Sequence, residues 1–245
     1  MDLIVLGSSG SYSSPATGPC SGYLVRSGAT TVWMDCGHGT FLELQRHVQP
    51  EALDAIVISH QHADHCADLT NIHIVLHFDL GLRDMPVYAP RGVHAALGGI
   101  LKVDDGTFAW DFVADGDART IGELAFRFAR TDHTVETMGI DIADPSGARL
   151  VYTADTGTGW SPAVFGAAPD LLLAEATFVH ARKDWAHHLS ARDAGAMGRE
   201  VGARSLMLTH RAPNMPFAEW EAEGADAFGA PVLVAKPGLV HRVSE

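Results

Sequence analysis

The 245-residue chain is 47% hydrophobic, enough for one sizeable core, and no composition break or long polar linker divides it. One domain spanning residues 1–245 is therefore expected. The formal charge is −13, from 30 acidic against 17 basic residues, and no run of lysines and arginines offsets it, which disfavours nucleic acid as a partner. Three scattered cysteines (Cys20, Cys36 and Cys66) do not form a disulfide framework. The N-terminus has no signal-peptide pattern, and no segment nears the roughly 20 apolar residues of a membrane span. These features point to a cytoplasmic protein with no membrane partner.

Residues 3–6 read as a short apolar strand running into Gly7-Ser8-Ser9-Gly10-Ser11, a flexible loop. Such a loop can offer backbone N–H groups to an anion, although turn chemistry alone explains it and no Gly-Lys-Ser/Thr follows. Residues 23–25 and 31–35 form a predicted hairpin about Ser27-Gly28-Ala29, and a helix is expected over 40–47 before Pro50. The apolar run 55–58 reads as a buried strand. It leads into Ser59-His60-Gln61-His62-Ala63-Asp64-His65, three histidines and an aspartate within six positions. Imidazole and carboxylate together suit borderline divalent ions, zinc first, then manganese or iron.

The next predicted helix covers 69–80, with Ile72, Leu76 and Leu80 on one side. Its His73 and His77 are spaced i,i+4 like a metal pair, but on a half-buried helix they read as packing or surface residues. A strand over 85–88, a helix over 93–101 and strands over 107–113 and 124–129 follow. The last of these leads into Arg130-Thr131-Asp132-His133. Residues 139–142 begin another strand, Asp144-Pro145-Ser146-Gly147 is a turn, and the strand over 149–154 is capped by Asp155-Thr156-Gly157. The apolar strand over 171–178 carries Glu175, a carboxylate that needs a buried partner. His187-His188-Leu189 precede Ser190, a good N-cap for a helix to about residue 201. A strand over 205–211 carries His210. A helix over 216–228 and a strand over 232–235 close the chain.

The run His60-x-His62-x-Asp64-His65, with His133, Asp155 and His210 each at a strand end, resembles the metallo-β-lactamase-fold superfamily over nearly the whole chain. That resemblance implies an α/β, αββα four-layer sandwich: two mixed β-sheets flanked by helices, with the site where strand-end loops meet. It implies two divalent metal ions. His60, His62 and His133 would hold the first, Asp64, His65 and His210 the second, and Asp155 would bridge them. A shared hydroxide would be the nucleophile. Asp35, in an Asp-x-Gly segment, would orient a ligand histidine, and His38 reads as a loop residue.

Glu175-Ala176-Thr177-Phe178 with the later His188-Leu189-Ser190 resembles the branch holding tRNA 3′-end endonucleases (RNase Z) and cyclic phosphodiesterases. In that branch His188 would act on the departing oxygen, oriented by Glu175, and Asp64 would also accept a proton. A loop like Gly7–Ser11 often lines the site of its phosphodiester-cleaving members. Dimers are common there, which allows a homodimer. The long tRNA-gripping arm typical of RNase Z has no room in the 22 positions from His133 to Asp155. A cyclic nucleotide or similar small phosphodiester is thus the expected substrate, with an RNase Z-type endonuclease as the alternative. A lactonase or thioesterase is a further reading. A non-enzymatic scaffold is disfavoured because all seven ligand positions are filled.

Overall fold

The computed structural model describes residues 1–244, in two halves of similar plan. The first half supplies β1 (Asp2–Gly7), β2 (Gly22–Ser27), β3 (Thr30–Cys36), β4 (Ala55–Val57), β5 (Met85–Ala89) and β6 (Phe108–Phe112). The second supplies β7 (Ala118–Ile121), β8 (Leu124–Arg130), β9 (Met138–Ala143), β10 (Arg149–Tyr152), β11 (Leu171–Glu175), β12 (Ser205–Thr209) and β13 (Leu233–Val234). Finally β14 (Val240–Arg242) returns to the first sheet beside β1. The sheet orders are β14-β1-β2-β3-β4-β5-β6 and β13-β12-β11-β10-β9-β8-β7. In each, antiparallel neighbours on one side give way to parallel ones on the other, so both sheets are mixed as expected.

Period-2 alternation explains the layering. Leu3 and Val5 of β1 face the inter-sheet core, together with Tyr23, Met34, Phe126, Ile140 and Leu173. Ile4 and Leu6 face the opposite way, into the cluster that holds Trp33 and Ile56 and the helix-layer residues Leu69, Ile72 and Leu76. Both faces of β1 are covered, so it reads as a continuous apolar run. On the far side of the molecule, Leu172, Leu206 and Leu208 of the second sheet meet its own helix layer.

The helices are α1 (Thr40–Leu44), α2 (Ala63–Cys66), α3 (Leu69–Ile74), α4 (Arg91–Leu97), α5 (Ala191–Val201) and α6 (Phe217–Phe228). Helices outside both sheets complete four layers. Ser190 caps α5 as expected, its side chain accepting from the Asp193 N–H while the Asp193 carboxylate accepts from the Ser190 N–H. α5 and α6 meet through glycine: a Cβ on Gly195 would collide with the Gly224 carbonyl oxygen.

Several expected bounds shift. The helix expected over 40–47 is α-helical only through Leu44. The one expected over 69–80 changes at Val75–Asp79 into a π-helical turn, which leaves Leu80 39% exposed and off the buried stripe. The strand expected over 171–178 ends at Glu175. β7 and β14 were not anticipated. No helix is long and apolar enough to cross a membrane among the described residues.

Candidate active site

The site gathers at the ends of β3, β4, β8, β10, β11 and β12. β4 delivers Ser59 and His60, and α2 then turns Asp64 and His65 inward. Among the described residues, three of the six non-glycine residues with positive φ lie here at strand ends: Asp35 (54°), Ala154 (49°) and His210 (60°). Such backbone is costly and persists where surrounding contacts over-determine it, commonly at functional sites.

The seven expected ligand residues converge as two groups. In the first, His62 Nδ1 lies 3.0 Å from His60 Nε2 and 3.2 Å from His133 Nε2. Asp155 Oδ2 is 3.5 Å from His60 Nε2 and 3.7 Å from His133 Nε2. In the second, His65 Nε2 and His210 Nε2 are 3.2 Å apart, with Asp64 Oδ2 3.2 Å from His210 Nε2. Asp155 Oδ1 stands 3.3 Å from His65 Nε2 and 3.4 Å from His210 Nε2. Asp155 thus gives one oxygen to each group.

The outer ring nitrogens of four of the five histidines are held. Asp35 Oδ2 accepts from His65 Nδ1 at 2.8 Å, from Ser59 Oγ at 2.9 Å and from the Tyr152 hydroxyl at 2.9 Å. Ser59 Oγ in turn accepts from His60 Nδ1 at 3.0 Å. The His187 carbonyl accepts from His133 Nδ1 at 3.1 Å, and Thr177 Oγ1 accepts from His210 Nδ1 at 2.8 Å. With Nδ1 protonated, each of these rings turns an Nε2 lone pair into the cluster.

This arrangement fits a bound cation. Two Nε2 lone pairs facing each other at 3.2 Å repel unless positive charge stands between them. Asp155 Oδ1 is buried and accepts no hydrogen bond, leaving a carboxylate oxygen without the partner that burial requires. Burial alone would lower the His65 pKa, but the carboxylates of Asp155, Asp64 and Asp35 outweigh it and hold it well above the ordinary value. The pocket also holds His60, His62 and His133 below the ordinary value, burial first among the causes, which keeps those rings neutral with lone pairs free for a cation. Its donor set, imidazoles with carboxylates, is that of a borderline divalent ion.

His188 and Glu175 stand beside the cluster. The His188 ring stacks on His210 at 5.4 Å and meets His133 edge-on at 5.1 Å. Glu175 Oε1 accepts from His188 Nδ1 at 2.8 Å and from the Thr156 N–H, while its Oε2 accepts from the Thr177 N–H and hydroxyl. That network satisfies the buried carboxylate. Burial would lower His188, but the Glu175 carboxylate outweighs it and raises the pKa to about 9.

Three contacts were not singled out from sequence. The Ser11 N–H donates to Asp64 Oδ2 at 2.8 Å, so the Gly7–Ser11 loop walls the site. Gly10 permits this, since a Cβ there would collide with the His210 carbonyl oxygen. Tyr152 and Thr177 make the other two. Thr177 lies inside a segment already flagged for Glu175, whereas Tyr152 carries no local signal and Ser11 only that of its loop. His38 is exposed on the neighbouring loop, its Nδ1 3.2 Å from Ser13 Oγ. His73 and His77 lie outside the cluster, against Asp105.

Fold and cluster together define a metal-dependent hydrolase. The sequence profile described as a beta-lactamase superfamily domain matches residues 30–211, and the chain belongs to that superfamily. The uncharacterized protein Rv1339 of Mycobacterium tuberculosis is 33% identical, across 94% of this chain and 88% of its own. The probable metallo-hydrolase YhfI of Bacillus subtilis is 31% identical over 98% of this chain and 99% of its own. The YhfI crystal structure superposes with a TM-score of 0.86, at 27% identity over 98% of this chain and 99% of that one. A ribonuclease Z of Haloarcula marismortui is 25% identical across 99% of this chain and 97% of its own.

Proposed function

We propose that the protein is a dinuclear metal hydrolase of small phosphodiesters, with cyclic nucleotides as its substrates. The observation that carries this reading is the His188–Glu175 pair set against the His/Asp cluster. His60, His62 and His133 would hold one ion, Asp64, His65 and His210 the other, with Asp155 shared and zinc the first expectation. Bound there, the ions supply Lewis acidity, neutralising phosphoryl charge and making water nucleophilic at neutral pH.

The chain's own groups then divide the remaining work. Asp35, Ser59, Thr177 and the His187 carbonyl keep the ligand rings in one tautomer. Asp64 accepts a proton from the attacking water. His188, held through Nδ1 by Glu175, delivers a proton from Nε2 to the departing oxygen. Trp185 is 48% exposed and meets His188 edge-on at 5.3 Å, offering an aromatic surface to a base at the rim.

Small size is supported by what lies between His133 and Asp155. β9 and β10 fill that interval as a plain hairpin turning at residues 144–147. The alignment with the ribonuclease Z relative runs to 302 positions against this chain of 245 residues, so that relative carries residues with no counterpart here. The charge of −13 also opposes RNA, whose binding depends on phosphate contacts. Likeness to that relative nevertheless makes RNase Z-type cleavage the second reading.

The test is a panel of 3′,5′- and 2′,3′-cyclic nucleotides, a precursor tRNA and a lactone, given to metal-loaded protein and to Asp64→Ala. Cyclic-nucleotide turnover lost in the variant is the expected result. Release of the tRNA 3′ trailer instead would establish the second reading. Turnover of the lactone alone would overturn both.

A further inference from the structure

Behind His210 the chain forms a second concavity, of about 450 Å³, lined by Ser8, Thr17, Arg211, Phe217, Trp220 and Lys236 among others. None of the seven cluster residues lines it. One layer of backbone separates the two places: the Gly10 N–H donates to the Arg211 carbonyl at 3.1 Å, and Gly10 lies tight against His210. The volume is within the usual range for small-molecule sites, about 300–1,000 Å³.

Its lining carries two cations. The Arg211 guanidinium lies 5.5 Å from the Phe217 ring centroid and 5.9 Å from that of Trp220. The Lys236 ammonium lies 5.3 Å from the same Phe217 centroid. Neither cation forms a salt bridge with a carboxylate among the described residues, which leaves both charges open to a ligand. Arg211 donates to the Met215 carbonyl, and aromatic faces flank both charges. α6 begins at this rim without a side-chain cap, adding the positive end of a 12-residue helix. Both cations line the pocket beside the same Phe217 ring, so an anion entering it meets two positive charges.

We propose that this pocket binds a small phosphate monoester of nucleotide size, its phosphoryl group held by Arg211 and Lys236. A monoester dianion suits two cations better than a diester monoanion. Naming a nucleoside monophosphate, the product of cyclic-nucleotide hydrolysis, rests on the function proposed above; the phosphate preference rests on the pocket alone.

The test is calorimetric titration of metal-loaded protein with AMP and, separately, with inorganic phosphate. Lys236→Gln, Arg211→Gln and the charge-preserving Lys236→Arg are run alongside, with cyclic-nucleotide turnover measured on each. Wild type is expected to bind a second equivalent beyond the one at the metal centre. Lys236→Gln and Arg211→Gln should weaken that equivalent about tenfold or more, and Lys236→Arg should retain it. AMP binding more tightly than phosphate assigns the pocket to a nucleotide; equal affinity assigns it to free phosphate. A single equivalent in wild type, or a second one unchanged in Lys236→Gln, overturns the proposal. Loss of the second equivalent in Lys236→Gln without any cyclic-nucleotide turnover would uphold the pocket and overturn the phosphodiesterase reading.

Discussion

Two places in this molecule bring imidazoles and a carboxylate together at about the same spacing, and they differ in what surrounds them. Around Asp155, the outer nitrogens of His60, His65, His133 and His210 are all held by acceptors, and among the described residues no lysine or arginine pairs with Asp64 or Asp155. Around Asp105, His73 Nε2 and His77 Nδ1 approach Oδ2 at 3.0 and 3.1 Å, equally close. Yet His73 Nδ1 is buried with no partner, and Arg83 Nη1 lies 2.8 Å from His77 Nδ1. There the guanidinium supplies the positive charge. Convergence of ligand atoms is therefore a weak sign of a metal site by itself; held outer nitrogens and the absence of a resident cation make it a strong one.

Four substitutions sharpen the contrast, in order of expected effect. Asp155→Ala removes the shared carboxylate, so metal content should fall below two equivalents and kcat/KM by roughly a thousandfold or more, read by elemental analysis and turnover. His188→Ala should lower kcat on the order of a hundredfold while leaving metal content intact, which separates proton delivery from metal binding. Asp35→Asn keeps the side chain's shape but weakens the hold on His65 and Ser59. Metal affinity should drop about 10- to 100-fold in a chelator competition. His73→Ala should change neither metal content nor turnover and cost about 1–3 kcal/mol of stability in urea unfolding, because Asp105 loses a buried donor. Loss of a metal equivalent in His73→Ala would contradict the distinction between the two clusters.

Much of the candidate site was legible through the superfamily resemblance, which asks for its residues at strand ends in a fixed order. His60 to His65 form one contiguous run, and His133, Asp155 and His210 each follow an apolar strand that marks its own end. Glu175 was legible for the opposite reason: a carboxylate closing a buried strand needs a partner, and His188 is that partner. The rest depended on tertiary approach. Ser11 reaches Asp64 through a backbone N–H, which nearly any residue carries, and Tyr152 reaches Asp35 from 117 positions away. β7 was missed because Ala118-Arg119-Thr120-Ile121 is short, half polar and buries only Ile121 at a sheet edge. β14 is a three-residue edge strand with exposed ends, defined by pairing with β1 rather than by its own pattern. The π-helical turn at Val75–Asp79 shifted Leu80 outward, which a regular 3.6-residue period cannot anticipate.

The most direct measurement is a competition in which metal-loaded protein meets a 3′,5′-cyclic nucleotide and a precursor tRNA together, with both products followed against time. The expected result is conversion of the cyclic nucleotide to its monophosphate, abolished by Asp155→Ala, with the tRNA left intact. Trimming of the tRNA while the cyclic nucleotide persists would contradict it.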